Sequence, residues 1–304
     1  MITFDHTSKS YGGTPAITDL QLNIPRGELL VLIGPSGSGK STALKMVNRM
    51  VDHDGGRILL DGQEIYSFDV LDLRRRMGYA IQSVGLFPHW TVARNIATVP
   101  QLLGWSAERI DARVTELLTL FAMEPAQYRN RLPHQLSGGQ RQRVGIARAL
   151  MVSPKFLVCD EPVAALDVSI QAQVINLFMD LRAQHGLTYL FISHDLGVVR
   201  HISDRVAIMY LGKIVEIAST ADIFSRANHP YTQALIAEVP NLERRKRVFV
   251  PIQGEIPSPL TPPPGCTFHP RCPHAMQRCR EEVPALEAIA PGHWSACHLN
   301  HTPA

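Results

Sequence analysis

The stretch GPSGSGKS near the N-terminus has the residue types and spacing of a phosphate-binding loop. It fits the pattern G-x-x-x-x-G-K-[S/T], and it lies between a short apolar run and a segment with helical periodicity. The glycines let backbone N–H groups turn inward around phosphate oxygens, and the N-terminus of the next helix adds a positive field. We expect Lys40 to reach the β- and γ-phosphates and the Ser41 hydroxyl to bind Mg²⁺. The predicted ATP-binding residues of this loop are Gly34, Pro35, Ser36, Gly37, Ser38, Gly39, Lys40, Ser41 and Thr42.

Two adjacent acids, Asp160 and Glu161, follow a second apolar run at residues 156–159. A carboxylate at the end of such a strand can face the Mg²⁺ shell, and the next one can activate a water molecule. A phosphate-binding loop requires acidic partners of this kind. The pair is therefore predicted to serve hydrolysis of the bound nucleotide.

The segment LSGGQRQR places Ser137 and two glycines before a helix that is predicted to begin near Gln140. A helix N-terminus with so few side chains is a second anion-binding site. One nucleotide does not need two such sites in one chain. Two copies facing each other would use both, because each copy's Ser137 segment would close on the phosphate held by the other copy's Lys40.

Taken in this order, the motifs resemble those of the ATP-binding subunits of ABC transporters. Residues 34–41 are similar to the Walker A loop, 136–140 to the signature motif and 156–160 to the Walker B strand. The resemblance implies that Tyr11 stacks on adenine and that Gln82 links Mg²⁺ and the attacking water to a membrane partner.

The resemblance also implies the catalytic roles. Glu161 would be the base, with His194 contacting the γ-phosphate and Gln82 assisting, and Mg²⁺ would be bound by Ser41, Gln82 and Asp160. One departure from the family is Ala164, where a Ser or Thr is usual, so a contact across the dimer is in doubt. The residues implied to contact the partner subunit's ATP are Ser137, Gly138, Gly139, Gln140 and Asp167.

Strand-like and helix-like patterns alternate along the chain, which predicts a mostly parallel α/β sheet. With the resemblance, the fold class is a P-loop NTPase of the ABC ATPase type, spanning 1–227, with a helical subdomain at about 83–150. Residues 228–304 contain a proline-rich stretch that excludes helix and central strand, and they are interpreted as a loop-rich appendage.

Two parts of the chain resemble the ATPases of two different groups of importers. Residues 1–135 are similar to the ATPases of osmoprotectant importers (glycine betaine, choline), whereas 137–304 are similar to those of dipeptide and oligopeptide importers. Peptide import is the favoured interpretation because the peptide-like region is longer and has the more distinctive appendage. Osmoprotectant import remains the alternative, and a recombinant or engineered chimera is a further interpretation.

Four of the five cysteines, Cys266, Cys272, Cys279 and Cys297, lie in the appendage. Their wide spacing differs from the C-x2-C pairs typical of structural zinc, and four thiolates can hold an iron–sulfur cluster. Resemblance to peptide importers favours a [4Fe–4S] cluster with a structural role. Zinc, a mixed Cys/His site and free thiols remain alternatives.

The 304 residues carry a net charge of +3 and contain no apolar run long enough for a membrane helix. A chain without such a run that works at a membrane does so through a partner, and the net charge argues neither for nor against nucleic acid. The resemblance implies a peripheral subunit at the cytoplasmic face of the cell membrane that does not act on nucleic acid. The resemblance implies a homodimer, or a heterodimer with a homologous ATPase, two permease subunits and, indirectly, a solute-binding protein. The rival interpretations are a non-transport ABC ATPase and a regulatory binder that does not hydrolyse ATP.

Overall fold

The structure is a computed structural model that describes residues 1–81, 85–164, 166–238 and 254–301. The strands are β1 (Ile2–Tyr11), β2 (Thr14–Ile24), β3 (Leu29–Ile33), β4 (Gly55–Leu60), β5 (Gln63–Glu64), β6 (Met77–Ile81), β7 (Phe156–Asp160), β8 (Thr188–Ile192), β9 (Arg205–Tyr210), β10 (Lys213–Ser219), β11 (Glu287–Ala290) and β12 (His293–Ser295). The α-helices are α1 (Lys40–Val47), α2 (Val70–Arg75), α3 (Val92–Ile96), α4 (Thr98–Leu102), α5 (Ala107–Leu120), α6 (Pro125–Tyr128), α7 (Gly138–Leu150), α8 (Val168–His185), α9 (Leu196–Ile202), α10 (Thr220–Arg226), α11 (Pro230–Ala237) and α12 (Gln277–Glu281). Short 3-10 helices are formed by Ile65–Ser67, Pro133–Gln135, His269–Arg271 and His298–His301.

The chain divides into two compact units. The first consists of Met1, Pro25–Glu28 and Ile65–Phe191, and the second of Ile2–Ile24, Leu29–Glu64 and Ile192–Ala304. In the described part, no helix is both long and apolar enough to cross a membrane.

The first unit contains the strand order β8–β7–β6, in which β6 and β7 are parallel, together with helices α2 to α8. Its core includes the ring of Phe178, which packs edge-on against Tyr189 and Phe191 with ring centroids 5.9 and 5.8 Å away. The Tyr189 hydroxyl donates to the carbonyl of Phe178 at 3.2 Å, so the polar end of this buried ring is satisfied. Helix α8 is thereby fixed against the apolar strand β8.

The second unit contains two sheets. One has the strand order β11–β12–β10–β9–β3, in which β3 and β9 are parallel and the pairs β11–β12, β12–β10 and β10–β9 are antiparallel. The other is an antiparallel sheet with the order β2–β1–β4–β5. Strand β3 and helix α1 confirm the apolar run and the helical segment that were expected on either side of the phosphate-binding loop. The antiparallel sheet was not predicted, because β1 and β2 mix polar and apolar residues irregularly and the ladder contains bulges.

The appendage adds strands to the second unit, which the interpretation of a loop-rich segment did not foresee. Strand β12 pairs with β10, and Ser295 lies opposite Glu216. The carboxylate of Glu216 is completely buried, and it accepts hydrogen bonds from His293 Nε2 at 2.7 Å, from the backbone N–H of Asn228 at 2.7 Å and from that of His229 at 2.9 Å. A buried carboxylate with three donors is satisfied, so this cluster fastens the appendage to β10.

His229 makes the stability of this region depend on pH. Burial lowers the pKa of His229 from 6.5 to about 4, and its Nδ1 accepts a hydrogen bond from the Tyr231 N–H at 3.1 Å. As the pH falls from 6.5 towards 4, the unfolded chain binds a proton that the folded chain does not, so stability is lost over that window, by about 3 kcal/mol. We expect His229→Asn, which keeps a side-chain helix cap, to flatten this slope in denaturant unfolding at a series of pH values.

The control for this prediction is His185→Asn, at an exposed histidine near the end of α8. It should keep the wild-type slope. Equal slopes for His229→Asn and the wild-type chain would show that His229 titrates normally in the folded state.

Candidate functional site

The phosphate-loop segment lies in the second unit, between the fully buried strand β3 and helix α1. Two of its glycines are required by close backbone contacts. A Cβ added at Gly34 would lie 2.2 Å from the carbonyl oxygen of Met209, and one at Gly39 would lie 2.6 Å from that of Ala16. Gly39 also has a φ of +99°, a conformation that side chains disfavour. Packing against β2 and β9 therefore sets the path of the loop.

Lys40 is drawn into the loop. Its Nζ donates to the carbonyl oxygens of Gly34 at 2.8 Å and Pro35 at 2.9 Å and to the Ser38 hydroxyl at 3.3 Å, and the residue is only 6% exposed. These acceptors hold the ammonium at the centre of residues 34–42. The group is thus positioned at the helix N-terminus, where a bound anion would also be stabilised.

Tyr11 and His194 also belong to the second unit. Tyr11 ends β1 with its side chain 49% exposed, and the Lys9 ammonium lies 5.5 Å from its ring centroid. An exposed ring of this kind is available for stacking. His194 is exposed and directly precedes Asp195, whose carboxylate caps α9 by accepting from the backbone N–H groups of residues 197 and 198. The cap fixes the backbone next to His194.

Asp160 and Glu161 lie in the first unit, at the end of β7. Burial raises the pKa of two neighbouring groups, and the negative charge of the Asp160 carboxylate raises it further. The pKa of Tyr79 is raised to about 12, and that of Cys159 well above its usual value. Glu161 has a φ of +49°, which is uncommon for a residue with a side chain. Strained backbone of this kind clusters at functional sites, so Glu161 is a candidate on structural grounds too.

The signature segment forms a complete capping box in the first unit. The Ser137 hydroxyl accepts from the N–H of Gln140 at 3.3 Å, and the side-chain oxygen of Gln140 accepts from the N–H of Ser137 at 2.9 Å. Helix α7 therefore begins at Gly138, two residues before the predicted start near Gln140. The N–H groups of its first turn are held at an exposed end, which suits a bound anion.

A packing contact that the sequence did not reveal links the helix that carries Gly139 to the helix that Asp167 caps. A Cβ at Gly139 would lie 2.3 Å from Cγ2 of Ile170, so the signature helix packs directly on the first turn of α8. Asp167 caps that turn, because its carboxylate accepts from the N–H of Ile170 at 3.0 Å. Ile170 is thus a supporting residue that no motif marked. Gln82, the remaining predicted site residue, lies outside the described residues.

The appendage cysteines approach one another in the second unit. All are free thiols, and the N–H of Cys266 donates to the carbonyl of Cys279 at 2.9 Å. Burial raises the pKa of Cys266 above its usual value and that of Cys297 to about 11, and the neighbouring thiols contribute to both shifts. In the described part of the chain, no three Cys, His, Asp or Glu side chains are arranged to hold a single metal ion.

An exposed aromatic group lies next to α3 in the first unit. Phe87 and Trp90 are in contact, with ring centroids 4.2 Å apart, and the Arg94 guanidinium lies 4.3 Å from the Trp90 ring. The buried side chain of Asn95 organises this loop by accepting from the N–H of Phe87 at 2.8 Å and donating to the carbonyls of Phe87, Trp90 and Thr91. An aromatic surface held rigidly in this way suits a protein partner.

Comparison with known proteins gives matches over most of the chain. The family described as ABC transporter matches residues 17–164, and the family described as oligopeptide/dipeptide transporter, C-terminal region, matches residues 215–279. The oligopeptide transport ATP-binding protein AppF of Bacillus subtilis (strain 168) is 44% identical, covering 96% of this chain and 91% of that protein. The glycine betaine uptake system ATP-binding protein YehX of Escherichia coli (strain K12) is 48% identical, covering 77% of this chain and 75% of that protein.

Among solved structures, the ATP-binding cassette MJ0796 is 30% identical, with a TM-score of 0.66, and the match covers 72% of this chain and 99% of that chain. That protein was solved as a dimer in a post-hydrolysis state, bound to ADP and phosphate. The fold predicted from the sequence, a P-loop NTPase of the ABC type, is confirmed by this similarity.

Proposed function

Because the chain belongs to the ABC transporter ATP-binding proteins, we propose that it is the ATPase subunit that powers an importer of dipeptides or oligopeptides. The observation that carries the peptide assignment is the match of residues 215–279 to the C-terminal region of oligopeptide/dipeptide transporters. AppF and other peptide-import relatives also match over more than nine-tenths of the chain. Of the two resemblances, the one to the ATPases of peptide importers is therefore better supported than the one to the ATPases of osmoprotectant importers.

Osmoprotectant import is the second candidate, because YehX, a glycine betaine uptake protein, is 48% identical over 233 residues. That match covers 77% of the chain, against 96% for AppF, so it is the weaker assignment. The interpretation of the chain as a chimera is not needed to account for either similarity.

In the proposed mechanism, Lys40 and the loop N–H groups bind the β- and γ-phosphates of ATP, and Tyr11 stacks on the base. Glu161 accepts a proton from the water molecule that attacks the γ-phosphorus, and His194 contacts the γ-phosphate. The bond from the γ-phosphorus to the bridging oxygen breaks, so ADP and inorganic phosphate are the products. Ser41, Asp160 and Gln82 offer hydroxyl, carboxylate and amide oxygens, a hard-oxygen donor set that suits Mg²⁺. Bound Mg²⁺ would neutralise charge on the phosphates.

We propose that two ATPase subunits act together, as two copies or as this chain with a homologue. Each subunit's Ser137, Gly138, Gly139, Gln140 and Asp167 would contact the ATP bound by the other. The capping box and the Gly139–Ile170 contact support this role because they keep the N-terminus of α7 open and rigid. Two permease subunits and a solute-binding protein complete the proposed importer, and the Phe87–Trp90 surface is a candidate docking site for a permease. The subunit would work at the cytoplasmic face of the membrane.

Uptake in cells that lack this chain tests the proposed substrate class. Cells complemented with the wild-type gene should take up a labelled dipeptide or oligopeptide, and cells complemented with Glu161→Gln should not. Labelled glycine betaine should enter both strains equally. Restoration of betaine uptake but not of peptide uptake would replace the peptide assignment with the osmoprotectant one.

We further propose that Cys266, Cys272, Cys279 and Cys297 hold a [4Fe–4S] cluster of structural role. Support comes from four neighbouring thiols and from the chemistry of such clusters: each thiolate binds its own iron, so the thiols need not converge on a single ion. Purification without oxygen should give a brown protein with about four irons per chain. Cys272→Ser should lose the colour, whereas Cys159→Ser, at the buried cysteine of β7, should keep it. One zinc per chain, or no metal, would contradict the cluster.

A further inference from the structure

A cavity of about 240 Å³ lies within the second unit, between β2, the start of β10 and two appendage segments, 265–267 and 283–286. A second cavity of about 190 Å³ adjoins it beneath the proline-rich segment, and the two share the lining residues Thr18, Lys213, Gly265, Thr267 and Val283. None of these residues has a part in the proposed nucleotide chemistry. The cavity is therefore distinct from the phosphate loop, although Cys266 of the cysteine group also lines it.

Among the described residues that line the larger cavity, the charged ones are Lys213 and Asp19. Burial lowers the pKa of Lys213, although the nearby Asp19 carboxylate opposes this, and the ammonium makes no hydrogen bond or ion pair with any residue that the structure describes. A partly desolvated ammonium that has a carboxylate nearby but makes no hydrogen bond to it can still bind an anionic ligand group. The cavity thus offers one site for an anion.

The carboxylate of Asp19 offers a site for a cation at the same cavity. It accepts from His6 Nδ1 at 2.6 Å and from Gln21 Nε2 at 3.3 Å, which leaves acceptor positions on its two oxygens. Asp19 has a φ of +52°, so its backbone is held in an uncommon conformation at the cavity wall. One positive and one negative group at one cavity match a zwitterion.

The rest of the lining narrows the chemistry of that zwitterion. Ile214, Val283 and Leu286 form aliphatic walls, and Thr18 and Thr267 add hydroxyl groups. The described lining contains no aromatic ring, which argues against a quaternary ammonium ligand, because such cations are recognised on aromatic faces. The volume lies below the roughly 300–1,000 Å³ of sites for drug-sized ligands. A ligand of dipeptide size with small aliphatic side chains fits these limits.

We propose that this cavity binds a dipeptide, with the peptide carboxylate on Lys213 and the peptide ammonium on Asp19. The size, the charge pair and the aliphatic walls come from the cavity itself. The further step, that the natural ligand is an imported peptide, rests on the proposed function. The site would then let the subunit sense product that has already entered the cell.

A short path of hydrogen bonds links the cavity to the phosphate loop. The N–H of Thr18 donates to the carbonyl of Gly212 at 2.9 Å, and the N–H of Gly212 donates to the carbonyl of Ser38 at 3.1 Å. Gly212 precedes Lys213, so movement of Lys213 towards a ligand acts on this path. Dipeptide and nucleotide should therefore alter each other's affinity by the same factor.

Calorimetric titration of the purified chain with alanyl-alanine, with and without saturating MgADP, tests the proposal. We expect saturable binding whose affinity differs at least threefold between the two conditions. Alanyl-alanine amide, which lacks the carboxylate, and N-acetyl-alanyl-alanine, which lacks the ammonium, should each bind at least tenfold more weakly. Absence of saturable binding, or equal affinity for all three ligands, would overturn the site, and equal affinity with and without MgADP would overturn the link to the loop.

Two variants assign the contacts. Lys213→Met keeps the aliphatic stem and should weaken alanyl-alanine binding at least tenfold while abolishing discrimination against the amide. Asp19→Asn, which tolerates the same backbone conformation, should abolish discrimination against the N-acetyl ligand. The exposed Lys155→Met is the matched control and should bind as the wild-type chain does. Unchanged binding by Lys213→Met would overturn the proposal, whereas dipeptide binding by the subunit of a transporter that imports only betaine would overturn the proposed function alone.

Discussion

Glu161→Gln is expected to lower ATP hydrolysis by about 10²–10⁴-fold, the usual contribution of general-base catalysis, and to leave ATP binding intact. Glutamine has the shape of glutamate but cannot accept the proton of the attacking water. Because the two side chains differ only in their terminal group, the substitution should preserve the backbone turn after β7, where Glu161 has a φ of +49°. Hydrolysis should be followed by phosphate release and binding by titration with a fluorescent ATP analogue.

The control is Glu124→Gln, at an exposed glutamate that precedes α6 in the same unit. This substitution removes one negative charge from a residue that is far from β7 in the sequence. The variant should hydrolyse ATP at the wild-type rate. Near-normal turnover in Glu161→Gln would reject Glu161 as the base. Loss of both binding and turnover would instead indicate that Glu161 is needed for the fold of the site.

Lys40→Ala is expected to weaken ATP binding by at least 10²-fold and, with it, to abolish hydrolysis at physiological ATP concentrations. The ammonium is positioned by the carbonyls of Gly34 and Pro35 at the start of α1, and a hydrogen bond to a charged group contributes about 1.5–3 kcal/mol. Several such contacts to phosphate oxygens are lost together. Titration with MgATP measures the loss directly.

Lys45→Ala offers a matched control, because Lys45 lies on the same helix α1 but is exposed. Both variants remove one positive charge, so a general electrostatic effect on ATP would appear in both. We expect Lys45→Ala to bind ATP nearly as the wild-type chain does. Equal losses in the two variants would contradict a specific phosphate contact by Lys40.

The elements that carry sequence motifs were predicted well, for a physical reason. Strand β3 is buried along its whole length and β7 is buried up to its last residue, Asp160, so each produces a continuous apolar run that is followed by residues with chemical signatures. Local sequence alone therefore indicated the loop before α1 and the acids Asp160 and Glu161. The sequence likewise indicated a helix soon after Ser137, although neither its start at Gly138 nor its capping box with Gln140 was predicted.

Features that depend on distant partners were not predicted. The pairing of β12 with β10 joins residues almost eighty positions apart, and the buried carboxylate of Glu216 has no local sequence signal. The requirement for Gly139 comes from Ile170 on another helix, and the cavity at Lys213 requires β10 and the appendage to be folded. In each case the partner is selected by tertiary packing, which periodicity does not encode.

The most direct test of the central claim is ATP hydrolysis by the complete importer in proteoliposomes, with the permease subunits and the solute-binding protein present. We predict that solute-binding protein loaded with an oligopeptide stimulates hydrolysis severalfold, that glycine betaine does not, and that Glu161→Gln abolishes the stimulated rate. Stimulation by glycine betaine alone would contradict the peptide assignment. Hydrolysis that is indifferent to the permease subunits and to every solute would contradict the assignment of this chain as the ATPase of an importer.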